Sequence, residues 1–149
     1  MFDVFGEMET AGEINAVARS LKEEGEKEQL EKLCQENGLD EEITELFWNG
    51  EIDFITDDLM AAVGKLDMEI KEAKEKDLAE GIADYLKVQA EKDANFAGKI
   101  RKKGKHLQKA MDLARKEAER RRNGKTCVYL PPRVVFKIAK DYYEGRNKK

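Results

Sequence analysis

Thr10-Ala11-Gly12-Glu13-Ile14-Asn15-Ala16-Val17-Ala18-Arg19-Ser20-Leu21 reads as an amphipathic helix that carries its own start signal. Thr10 and Glu13 have capping-box spacing, in which a hydroxyl and a carboxylate satisfy unpaired N–H groups of the first turn. Ile14, Val17, Ala18 and Leu21 then recur at i, i+3, i+4 and i+7, the period of one helix face. That period returns along most of the chain and sets the expected class: all-α.

Outward from this helix, the punctuation residues divide the sequence. Gly25 ends the first helix, and a second runs from about Glu26 to Asn37 with Leu30 and Leu33 inward and Gly38 as its stop. Asp40 caps a short third helix carrying Ile43, Leu46 and Phe47, closed by Asn49-Gly50. Helices this short are not stable alone and need something larger to pack on. Thr56 or Asp57 opens a longer helix with the stripe Leu59, Ala62, Val63, Leu66 and Ile70, which fades into a charged helical tail over Lys71–Asp77. Gly81 marks the next junction. Ile82, Tyr85, Leu86 and Ala90 face inward after it, continued by Phe96 and Ile100, and Gly104 breaks or bends the run. A basic helix follows with Leu107, Ala110, Met111, Ala114 and Ala118 inward, ending at Asn123-Gly124.

Pro131 and Pro132 are the chain's two prolines, and they are adjacent. The residue before a proline avoids the α region, so the segment near 126–130 is the one place where a short extended piece is expected. Pro132 suits the first turn of a last helix, whose buried face is Val135, Ile138, Ala139 and Tyr142 and whose stop is Gly145. At 149 residues, with 40% charged and 40% hydrophobic side chains, the chain is expected to be a compact multi-helix single domain over 1–149.

Charge is laid out unevenly. Residues 1–80 hold 24 Asp/Glu against 8 Lys/Arg, a net of −16, and residues 81–149 hold 8 against 20, a net of +12. An acidic half followed by a basic half points to charged partners, or to the halves complementing each other.

The acidic pole is densest at Asp40, Glu41, Glu42, Glu45, Glu51, Asp53, Asp57 and Asp58, a span with no Lys or Arg in it. Five of these eight acids lie near expected helix starts, where the helix dipole favours anions, so capping accounts for part of the cluster. The remainder makes an anionic surface suited to a protein that normally holds nucleic acid. The basic pole contains Lys99, Lys102, Lys103, Lys105, Lys109, Lys116 and Arg120. Helical spacing places Lys99, Lys102, Lys109, Lys116 and Arg120 on one stripe, the geometry that follows a phosphate backbone. Against that stand the pairs Arg115–Glu119 and Glu117–Arg121 at i,i+4, and the preference of Arg120 to Arg122 for the last turn of a helix.

Catalysis is not expected. The chain has no GxxxxGK[ST], GxGxxG or HExxH, and its single histidine, His106, has Lys102 and Lys109 on its face and no acid or nucleophile at matching spacing. Cys34 and Cys127 lack CxxC partners, so reduced thiols are expected and no metal or other cofactor. No run approaches the roughly 20 apolar residues that cross a bilayer, and the start Met1-Phe2-Asp3-Val4-Phe5 lacks a basic n-region. Residence in the cytoplasm of a bacterial host cell is the corresponding expectation, with no membrane partner.

Several segments together resemble the PcfK-like family, some members of which are anti-CRISPR inhibitors of the type II RNA-guided nuclease. They are Glu13-Ile14-Asn15, Glu36-Asn37-Gly38-Leu39-Asp40-Glu41-Glu42, Gly50-Glu51-Ile52-Asp53, Ala61-Ala62-Val63-Gly64-Lys65-Leu66 and Lys103-Gly104-Lys105. The strongest are Leu130-Pro131 and Lys137-Ile138-Ala139-Lys140-Asp141-Tyr142-Tyr143-Glu144-Gly145. The match is weakest over Arg115–Lys125 and assigns those cations no role. The resemblance implies a small protein of phages, plasmids or conjugative elements that binds the guide-loaded nuclease and blocks DNA engagement or cleavage. It supplies no catalytic residues. The alternatives are a nucleic-acid-binding accessory of a mobile element acting through the basic pole, and a homodimer in which opposite poles pair.

Overall fold

Local chemistry starts and stops the helices much as the spacing suggests. The computed structural model describes residue 2 and residues 4–122 and 130–146. Among these are eight helices and no strand: α1 (Ala11–Glu23), α2 (Lys27–Glu36), α3 (Glu41–Trp48), α4 (Asp58–Glu72), α5 (Lys76–Lys92), α6 (Ala94–Arg101), α7 (Leu107–Arg122) and α8 (Pro132–Glu144). Thr10 Oγ1 accepts from the Glu13 N–H at 3.1 Å and Asp57 Oδ1 from the Met60 N–H at 2.8 Å, so these two expected caps form, whereas Asp40 heads α3 without the side-chain capping bond expected of it. Pro131 and Pro132 open α8 and Gly145 closes it. All but Leu130 of the segment near 126–130, with Cys127 and the Asn123-Gly124 helix end, lies outside the described residues.

Three boundaries differ from expectation. Asp93 ends α5 and caps α6 by accepting from the Asn95 N–H, a break where one continuous run to Ile100 is expected. The charged run after Ile70 is not a helical tail: α4 ends at Glu72, Ala73 is buried as the chain turns, and α5 begins at Lys76. Gly81 accordingly lies inside α5, exposed and with nothing near it, rather than at a junction. The run is rich in helix formers and holds no Gly or Pro, so only tertiary packing of Ala73 reveals the break.

α4 organises the molecule. Its Ala61 joins Ile14, Leu30, Leu33, Phe47 and Ile55 in a core formed with α1–α3. The adjacent Ala62, with Leu66, joins Ile82, Leu86, Phe96, Ile100, Met111 and Tyr143 in a core formed with α5–α8. One helix buried over a broad arc, with adjoining faces in the two cores, binds the acidic N-terminal part to the rest, so the charge boundary at residue 80 is not a structural one. The closest approach is at Gly38, where a Cβ would meet the Gly64 backbone. Gly38 has φ +68, and both glycines are needed for the end of α2 to rest directly on α4.

Candidate partner-binding face and the polar network beneath it

The acids of 40–58 are divided among three duties. Glu41, Glu42 and Glu45 project from exposed positions along α3, and Glu31 of α2 joins them around a pocket of about 360 Å³. Asp40 occupies the N-cap position of α3 without a side-chain capping bond and lines a second groove with Asp67, Glu80 and Asp84. Asp57 caps α4, and Asp58 Oδ1 accepts from the Ala11 N–H at 3.3 Å, so one carboxylate serves the start of α1 from α4. Glu51 and Asp53 are exposed on the connection from α3 to α4. Sequence spacing could not show Glu31 as a member of the rim, nor Asp57 and Asp58 as scaffold residues.

One of the eight acids has a cationic partner among the described residues: Glu45 Oε1 lies 2.8 Å from Lys27 Nζ, both groups exposed. The connection that carries Glu51 and Asp53 also exposes a large aromatic ring, Phe54, at 58%. The Arg19 guanidinium stands 5.9 Å from that ring's centroid. The other face of the connection is tied down by buried Asn15, whose Oδ1 accepts from Ile55 N–H at 2.8 Å and Thr56 N–H at 3.2 Å while its Nδ2 donates to the Thr56 carbonyl at 2.9 Å.

The single basic stripe expected from Lys99 to Arg120 does not exist as such. Lys99 and Lys102 belong to the end of α6, Gly104 turns the chain at φ +84, and Lys109, Lys116 and Arg120 lie on α7. Several of these cations also have internal partners. Lys105 Nζ donates to the Tyr142 carbonyl at 2.8 Å and lies over the Tyr142 ring, and Lys109 Nζ donates to the Gly104 carbonyl at 3.2 Å. Lys99 faces Glu144 at 3.7 Å. Arg120 and Arg121 both bind Glu117, whose carboxyl the hydrogen bond from Arg120 first, then that from Arg121, pulls down to about 2. Arg115 pairs with Glu75 of the α4–α5 connection and not with Glu119. Lys102, Lys103 and Lys116 are exposed.

Two cations that pattern reading leaves on the surface are in the core. Arg101 is 1% exposed and Lys65 0%. Arg101 donates to the Met8 carbonyl through Nε at 3.1 Å and a terminal nitrogen at 2.5 Å, and to Asn37 Oδ1 at 3.0 Å, tying α6 to the N-terminal segment and to the end of α2. Lys65 Nζ donates to the Ile100 carbonyl at 2.8 Å and to the Lys105 carbonyl, and stands 3.4 Å from Glu7 Oε1. Buried charge is costly unless it is paired or hydrogen-bonded: Lys65 has the Glu7 carboxylate beside it, while Arg101 is held by neutral acceptors, the Met8 and Ala61 carbonyls and Asn37 Oδ1. Desolvation still lowers the pKa of both cations; carboxylates oppose it, Glu69 then Glu7 at Lys65, and Glu7 then Glu69 at Arg101.

His106 has the acidic partner that its sequence neighbourhood lacks. Glu69 of α4 places Oε2 2.8 Å from His106 Nδ1 and accepts the Leu107 N–H on Oε1 at 3.2 Å, capping α7 across 38 residues of sequence. Burial pushes the Glu69 carboxyl up, and the charge of Lys65 and the bonds from His106 and Leu107 oppose it. His106 also borders a groove of about 530 Å³ with Phe2, Glu72 and Lys109. The pair holds α7 on α4, and the Tyr142 hydroxyl accepts from the His106 N–H at 2.9 Å beside it.

Among the described residues no group of three or more His, Cys, Asp or Glu is placed to hold a metal ion, and no helix is long and apolar enough to cross a membrane. Cys34 is buried and reduced. No family model, curated protein or solved structure matches the chain.

Proposed function

We propose that this chain is a non-enzymatic inhibitor that binds a guide-loaded type II CRISPR nuclease through its acidic N-terminal face and blocks DNA engagement or cleavage. The observation that carries the reading is the rim of Glu31, Glu41, Glu42 and Glu45, exposed and, among the described residues, countered by one cation, Lys27. Such nucleases hold heteroduplex and displaced strand in positively charged channels. A folded anionic surface competes for those channels without the conformational cost of ordering a tail. Phe54, exposed between Asp53 and Asp57, adds the aromatic anchor that protein interfaces favour.

The residues that carry the PcfK-like resemblance include several that hold this fold together. Asn15 clamps the α3–α4 connection, Gly38 meets Gly64, Lys65 joins α4 to α6, and Tyr142 receives Lys105. It is the resemblance that implies a nuclease as the partner, and the acidic face is the surface we assign to that contact.

The runner-up, nucleic-acid binding through the basic pole, is weakened by the internal partners of Lys99, Lys105, Lys109 and Arg120. The deciding experiment is a pull-down with guide-loaded and guide-free nuclease, with and without target DNA, beside a guided cleavage assay and a gel shift at low salt. The proposal expects capture by the loaded nuclease, loss of cleavage and no shift of free nucleic acid. Unchanged cleavage at large excess over several such nucleases would discard it.

A further inference from the structure

The segment that leads into α1 crosses the helical body without forming a helix or strand of its own. Up to Glu7 it is held by few contacts. The Val4 and Phe5 N–H groups donate to the Glu36 carboxylate at 3.0 and 3.3 Å, and the Phe2 ring centroid lies 5.3 Å from the Arg101 guanidinium carbon. Val4 is 53% exposed, and Gly6 turns the chain at φ +77 with nothing near the place of a Cβ. The firm hold begins at Met8, which is buried and whose carbonyl accepts from Arg101.

Glu7 lies at that boundary and faces two buried cations. Its Oε2 accepts from the Gly104 N–H at 3.3 Å, and its Oε1 stands 3.4 Å from Lys65 Nζ, both long for charge-assisted hydrogen bonds. It is also the first of the carboxylates that hold up the pKa of Arg101 against burial. Glu69, the other carboxylate serving both cations, is fixed on α4. Once Glu7 moves away, Lys65 and Arg101 share one buried carboxylate, and uncompensated buried charge is strongly unfavourable. The turn around Gly104 adds like charge, because Lys102 and Lys109 both act on Lys105.

We propose that this segment is an autoinhibitory strap and that Glu7 fills a site for an external phosphate group. The donors of the site are the Gly104 N–H and the Lys65 ammonium, which Glu7 now holds at long range. Lys65 gives two of its three N–H groups to the Ile100 and Lys105 carbonyls, which leaves one for an anion. Exposed Lys102 and Lys103 flank the same turn. A phosphate carries more negative charge than a carboxylate and offers three acceptor oxygens, so it replaces Glu7 with a gain in both. The site shares no residue with the acidic rim, and its test needs no nuclease, so it stands or falls apart from the function proposed above.

Isotope-labelled protein is titrated with inorganic phosphate at constant ionic strength, balanced with chloride, and followed by NMR at the Gly104 amide. Wild type should bind weakly, because Glu7 competes from within the chain. Glu7→Ala vacates the site and should bind at least about tenfold more tightly. Glu36→Ala removes the acceptor of the Val4 and Phe5 N–H groups and leaves the buried charges in place. It should tighten binding severalfold, and it decides the matter if Glu7→Ala does not fold. Methyl phosphate, run in parallel, separates a phosphate borne on a larger molecule from the free ion; tighter binding of either upholds the site and names its source. No saturable shift at Gly104 in the variants, or binding no tighter than that of wild type, would overturn the assignment.

Discussion

Gly38 and Gly64 meet backbone to backbone: a Cβ built on Gly38 would lie 2.7 Å from the Gly64 Cα. A Cβ on Gly64 would fall inside the contact distance of the Asn37 carbonyl oxygen. Neither neighbour is a flexible side chain, so neither can yield cheaply. This contact seats the acidic helices on α4 and fixes the face that the functional proposal requires.

Gly64→Ala should therefore destabilise the protein by about 1–3 kcal/mol or more. Gly81→Ala, on an open surface of α5, should instead stabilise it by up to about 1 kcal/mol, because alanine loses less entropy in a helix. Urea unfolding midpoints check both signs, and a harmless Gly64→Ala would refute the close approach.

Arg101 joins three otherwise separate pieces through Met8, Asn37 and Ala61. Arg101→Ala leaves the Met8 carbonyl and Asn37 Oδ1 unsatisfied, opens a cavity and leaves Glu7 with less countercharge. A loss on the order of 3 kcal/mol is expected, measured by thermal or urea unfolding. Lys102→Ala, one residue away and exposed, should change stability by less than about 0.5 kcal/mol.

The pH dependence follows from Glu69. Its folded pKa is raised above the ordinary 4.5, mainly by burial. Between 4.5 and the raised value the folded state binds more protons than the unfolded chain, so stability contributed by this group falls as pH rises. Glu69→Gln removes that term. Wild type should lose stability relative to the variant as pH climbs upward from about 4.5, and the loss should level off above the raised value. A relative gain over that window would mean that pairing with Lys65 and His106 outweighs desolvation.

Asp57 and the rim acids should separate cleanly. Asp57→Ala removes the cap on α4 and should cost about 1 kcal/mol whatever partner is present. Glu41→Gln/Glu42→Gln alters exposed side chains and should leave the unfolding midpoint nearly unchanged while weakening partner binding. Comparable stability losses in the two variants would show that the rim belongs to the scaffold.

Periodicity made the helices legible, because each buries one stripe: Ile14 and Ala18 in α1, Ile82 and Leu86 in α5, Leu107 and Met111 in α7. It failed at Ala73, where no breaker residue marks the turn. The polar network was partly visible in retrospect. Arg101 continues the inward series Phe96, Ala97 and Ile100, and Lys65 and Glu69 continue Ala61 and Ala62 at helical spacing. Their charge argued for the surface, and only partners distant in sequence, such as Met8 for Arg101, reverse that expectation. The acidic cluster was legible as composition, but its division into rim and caps depends on α2 standing beside α3. Glu31 enters the site through that tertiary placement alone.

The central claim is that the acidic rim engages a basic groove of a guide-loaded nuclease. The most direct test is equilibrium binding of wild type and the Glu41→Gln/Glu42→Gln/Glu45→Gln variant to that complex across a salt series. Wild type should bind with an affinity that falls as salt rises, and the variant should bind at least about tenfold more weakly with a shallower salt dependence. Equal affinity and equal salt dependence for the two proteins, or no binding by wild type, would contradict it.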